Sequence, residues 1–102
     1  MNVANCAECA DLRQGVDLRT PGELAHAIRL LHERLRGGTL LDITQPAHCP
    51  SGQFDELPEN GPWPDYIEHY FRCHTCGHSF RLAVDTYHGS GGSLEGAVEP
   101  FQ

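Results

Sequence analysis

The sequence predicts a small α+β domain with one main helix at about 21–36, a short strand at 39–43 and a β-hairpin over 66–87. Three observations carry this prediction. A capped helix start is followed by apolar residues at helical spacing, two later segments alternate apolar and polar residues, and two Cys-x-x-Cys pairs stand far apart in the chain. A length of 102 residues fits one domain, 1–102, with a modest core. Hydrophobic residues make up only 39%, and 11 Gly and 7 Pro dilute regular structure, so a cross-link between distant segments would add needed stability.

The helix is signalled by Thr20-Pro21-Gly22-Glu23. Thr20 suits the N-cap, Pro21 the first helical position and Glu23 the reciprocal position of a capping box. Leu24, Ala27, Ile28, Leu31 and Leu35 follow on one face, and Gly37-Gly38 ends the run. Before it, Cys6 to Thr20 reads as a short lead with extended pieces.

Thr39-Leu40-Leu41-Asp42-Ile43 is apolar and bounded by glycine and proline, which suits a strand. Residues 44–64 are rich in Pro and Gly and show no sustained period, so a long mobile surface loop is expected. Tyr66 to Cys73 and Ser79 to Tyr87 then alternate. Ile67, His69 and Phe71 share one face of the first segment, and Phe80, Leu82 and Val84 one face of the second. The glycine-rich residues 89–102 read as a flexible tail.

The chemistry lies in the cysteines. Cys6/Cys9 and Cys73/Cys76 can supply four thiolates to one tetrahedral zinc ion, because two intervening residues let the chain fold back and present both sulfurs to one metal. Gly77 relieves the turn after the second pair. Two alternatives stay open: His48, Cys49 or a nearby His replacing one or both N-terminal thiolates, and free thiols in an ordinary fold. His74 and His78 bracket the second pair as further neighbours.

The Cys73-His74-Thr75-Cys76-Gly77 hairpin resembles the zinc knuckle of zinc-ribbon and rubredoxin-like proteins. The resemblance covers about twenty residues. It implies that Cys73 and Cys76 are ligands, Gly77 the turn residue and Cys6/Cys9 a second knuckle, in which Ala10 stands where the pattern has glycine.

Catalytic readings fare worse. A thioredoxin-like dithiol sits at a helix start, whereas the residues after Cys76 alternate as a strand. Neither the His-Glu-x-x-His pattern nor the deaminase signature occurs. The sequence therefore predicts a protein without enzymatic activity.

Charge points to a partner. The first 36 residues are neutral, with five Arg and five acids, while residues 37–102 hold nine acids against Arg72 and Arg81. A surplus of seven negative charges disfavours nucleic acid and favours a basic protein. Asp55, Glu56, Glu59 and Asp65 around Trp63 form the expected contact set, with Trp63 either anchoring that partner or folding back over the hairpin. In size and charge the chain resembles the acidic immunity proteins with which bacteria neutralise basic toxins, and the knuckle alternatively implies a zinc-ribbon accessory factor in transcription or RNA handling. No segment approaches the roughly 20 apolar residues of a membrane span, and the opening residues lack the basic and apolar regions of a secretion signal, so a cytoplasmic protein is expected.

Overall fold

Helix formation begins where the sequence places it. In the computed structural model, which describes residues 9–45 and 53–96, the main helix is α2, Pro21–Arg36. The Thr20 hydroxyl accepts from the Glu23 N–H at 3.1 Å, and Glu23 Oε1 accepts from the Thr20 N–H at 3.0 Å, completing the capping box. The preceding residues form a one-turn helix α1, Ala10–Arg13, and a strand β1, Val16–Leu18. After α2 come β2 (Leu40–Asp42), a 3₁₀ turn at Phe54–Glu56, β3 (Tyr66–Cys73), β4 (Ser79–Asp85) and β5 (Gly91–Gly96).

The five strands form one antiparallel sheet in the order β1-β5-β4-β3-β2. Registration of β3 on β4 pairs Ile67 with Val84, His69 with Leu82 and Phe71 with Phe80, so the two alternating faces expected from the sequence coincide. All six side chains are buried, together with Leu24, Ala27, Ile28 and Leu31 of α2. Each large apolar side chain removed from water contributes about 1.5–3 kcal/mol. On the opposite face of the sheet Tyr70 donates to Glu68 at 2.9 Å, and Arg81 lies 3.6 Å from the same carboxylate.

Two segments carry more regular structure than their sequences suggest. The tail expected at 89–102 contains β5, whose centre, Leu94, is fully buried; residues 97–102 lie outside those described. Glycine here permits close approach: a Cβ on Gly92 would strike the Ala83 carbonyl oxygen and the Val84 Cα, so the missing side chain is what lets the strands pair. Within the loop expected at 44–64, the residues from 53 onward pack onto the core. Phe54 and Leu57 are buried, and Phe54 meets His32, His69 and Phe71 edge-on at ring separations of 4.9, 5.1 and 5.0 Å. Residues 46–52, with His48 and Cys49, lie outside the described part.

Candidate metal centre

Three of the four expected ligands converge. Cys9 precedes α1 as its N-cap residue, and Leu12, wholly buried, anchors that turn on the core. Cys73 ends β3 and Cys76 lies in the turn before β4. Their sulfurs fall within 4.8 Å of one another, and Cys9 Sγ and Cys76 Sγ are 3.5 Å apart. Cys9 and Cys73 are buried, Cys76 partly so. Cys6 lies outside the described residues.

Local backbone geometry fixes the pair in the turn. The Cys73 N–H donates to the His78 carbonyl and the Gly77 N–H to the Cys73 carbonyl, both at 2.8 Å. Gly77 adopts φ +79°, a conformation that L side chains rarely take, which explains a glycine directly after Cys76. The His74 N–H donates to the Thr39 carbonyl at 2.8 Å and ties the turn to the start of β2. At the other end of the centre, Arg34 of α2 pairs with Asp11 of α1 at 2.6 Å and helps to hold the Cys9 turn. A half-exposed pair of this kind contributes at most about 1 kcal/mol, so the apolar contact of Leu12 matters more.

Electrostatics favour a thiolate at the centre. Burial opposes ionisation of Cys73, but the backbone N–H groups of Cys76 and Thr75, and then the thiols of Cys76 and Cys9, act in the other direction. The net effect holds the Cys73 thiol below its ordinary value.

The group can hold a metal ion. A tetrahedral thiolate centre with metal–sulfur bonds of about 2.3 Å has sulfurs about 3.8 Å apart, close to the Cys9–Cys76 separation. Three soft donors on a largely apolar bed suit a thiophilic cation, and the cation would offset the cost of buried negative charge. Among the described residues no histidine or carboxylate joins the three sulfurs. His74 is exposed, and His78 packs its ring against Phe80 at 4.9 Å.

The expected partner-binding residues are divided. Asp55 and Glu56 are exposed on the 3₁₀ turn, and Asp55 lines a hollow with His32, Leu35 and Arg36. Glu59 is half-buried. Trp63 and the exposed Asp65 lie elsewhere, at the start of β3. Trp63 does not cover the cysteine turn: it lines a cleft with Leu24, Val84 and Thr86, at the end of the β3–β4 hairpin away from Cys73. Seven residues of strand, about 23 Å, separate Tyr66 from Cys73. Sequence reasoning did not single out Leu18, Leu24 or Asp85 as lining this cleft, and the signal available for it was Trp63 alone.

No helix among the described residues is long and apolar enough to cross a membrane. No protein-family model, curated protein or solved structure matches the chain.

Proposed function

We propose that the chain is a non-enzymatic interaction module, stapled by zinc, that docks on a basic protein partner. The observation that carries this reading is the convergence of Cys9, Cys73 and Cys76 within 4.8 Å on a bed of core residues. By its spacing in the sequence, with two intervening residues before Cys9, Cys6 is the residue that would supply a fourth thiolate and close the coordination shell. A closed shell leaves no open position at which a substrate or activated water could bind, so the ion acts through stability.

The partner's chemistry follows from charge. Fourteen acids face seven Arg in the whole chain, and Arg81, one of two cations after residue 36, is already engaged by Glu68 at 3.6 Å. That leaves little to neutralise phosphates, and it weighs against a ribbon that contacts nucleic acid directly. A basic toxin neutralised by an acidic immunity protein is one partner of the required kind.

The experiment that separates this module from a dithiol oxidoreductase is thiol exchange. Protein purified under reducing conditions without chelator should retain its metal and fail to accelerate dithiothreitol-driven reduction of insulin. Multiple turnovers in that assay would make the cysteines catalytic and overturn the reading.

A further inference from the structure

The three converging sulfurs differ in what can reach them. Cys9 and Cys73 are 0% exposed, whereas Cys76, in the turn between β3 and β4, is partly open to solvent. An oxidant arriving from water therefore meets Cys76 first. Cys9 Sγ stands 3.5 Å from Cys76 Sγ, and closure to a disulfide bond of about 2.05 Å asks the two sulfurs to approach by only about 1.5 Å.

Cys73 is placed differently. Its sulfur accepts from the backbone N–H groups of Cys76 and Thr75, and its own backbone is tied into the turn by the 2.8 Å bonds to His78 and Gly77. A Cys73–Cys76 bridge would pull the Cys73 sulfur off both N–H groups, whereas a Cys9–Cys76 bridge leaves them in place. The two bridges also differ in reach. One spans a single turn, and the other joins residues 67 apart in sequence, in the same two segments that a metal would tie together.

We propose that Cys76 and Cys9 form a peroxide-reactive pair, oxidised to a disulfide that replaces the metal as the cross-link. The inference rests on the zinc-stapled module proposed above and deepens it by naming how the site is regulated. In the first step the Cys76 thiolate attacks one peroxide oxygen: the S–O bond forms, the O–O bond breaks, and the departing hydroxide takes a proton and leaves as water. In the second, the Cys9 thiolate attacks the Cys76 sulfur: the S–S bond forms, the S–O bond breaks, and a second hydroxide takes a proton and leaves as water. The two sulfurs lose two electrons between them, and the peroxide gains both. Cys73 and Cys6 are then the remaining thiolates, too few for a four-coordinate structural site, so zinc departs. The fold keeps its long-range link, because the disulfide closes a loop of the same length. A dithiol reductant reverses the change: it is oxidised to its own disulfide, both thiols return and zinc rebinds.

The probe is hydrogen peroxide, equimolar with the chain, added to reduced protein whose zinc content has been measured on the same sample. A chromogenic indicator follows zinc release, and the remaining thiols are alkylated before digestion. Trypsin cuts after Arg13, Arg72 and Arg81, so Cys9 lies in peptide 1–13 and Cys76 in peptide 73–81. About one zinc per chain should be released, and the two peptides should be recovered joined, with fragmentation placing the bond between Cys9 and Cys76. Dithiothreitol with added zinc should restore the starting form. The oxidised, metal-free protein should melt at least about 10 °C above reduced protein in chelator. A bridge within peptide 73–81, a bridge through Cys49, or oxidised protein that melts with the chelated reduced form would each overturn the proposal. Zinc-loaded protein that yields another bridge or none sinks this inference alone. Reduced protein without zinc sinks the zinc-stapled module, and the peptide map still decides the Cys9–Cys76 pairing.

Discussion

Cys9 Sγ lies 3.5 Å from Cys76 Sγ although 67 residues separate them in sequence. The contact joins the turn before α1 to the turn between β3 and β4, the two segments that a metal would tie together. Closing so long a loop costs the unfolded chain considerable entropy, and a metal bound only in the folded state offsets it. Cys73→Ser should therefore destabilise the fold by at least about 3 kcal/mol, a fall of roughly 10–20 °C in Tm for a domain of this size. Thermal melts with and without chelator check it: the wild type should lose stability on chelation and Cys73→Ser should not respond.

His69 sets a second dependence. It is wholly inaccessible, and burial pushes its pKa below the usual histidine value, opposed only in part by the charges of Asp42 and Glu68. A base whose folded pKa is depressed binds fewer protons folded than unfolded, so its effect on stability appears as pH falls below about 6.5, and stability then declines toward the folded pKa. Protonation of the cysteines would release a metal held by them, and that loss would add to the same decline. Urea melts between pH 7.5 and 5 should show a shallower slope for His69→Gln than for the wild type, at equal metal content. Parallel slopes would remove His69 from the account.

Phe54 turns a segment that reads as a surface loop into part of the core. It is 0% exposed and packs edge-on against His32, His69 and Phe71. Truncation leaves a cavity between α2 and β3, so Phe54→Ala should cost about 3–5 kcal/mol. A denaturation midpoint within error of the wild type would mean that the segment is not docked in solution.

Gly92 should tolerate no side chain. Alanine there would drive its Cβ into the Ala83 carbonyl and force β5 off β4, costing on the order of 1–3 kcal/mol or more. Hydrogen exchange should show the β4 and β5 amides losing protection first in Gly92→Ala; unchanged protection would contradict the strand assignment.

The elements legible in the sequence are those whose signal is local. Thr20 and Glu23 mark the start of α2, Gly37-Gly38 its end, and the alternation of Ile67, His69 and Phe71 is a strand pattern in itself. β5 was not legible, because Gly91, Gly92 and Gly96 resemble a mobile turn until their neighbours are known: backbone excludes a side chain at Gly91 and Gly92, and the His78 ring crowds Gly96. Phe54 was hidden for a related reason: one buried aromatic in a Pro-rich segment makes no period. For the metal centre, the paired spacing picked out Cys9, Cys73 and Cys76, while their convergence depends on α1 packing beside β5, a long-range contact with no sequence signature. The cleft beside Trp63 is harder still, since its lining comes from β1, α2, β4 and the segment before β3.

The central claim is that Cys9, Cys73 and Cys76, with Cys6, hold one structural zinc ion. The direct measurement is metal analysis of protein purified under reducing conditions without chelator, paired with thiol titration before and after metal release. The account predicts about one zinc per chain in the wild type and a large loss in Cys73→Ser, with four thiols becoming reactive only when the metal leaves. A stoichiometry near zero with freely reactive thiols, or full zinc retained by Cys73→Ser, would contradict it.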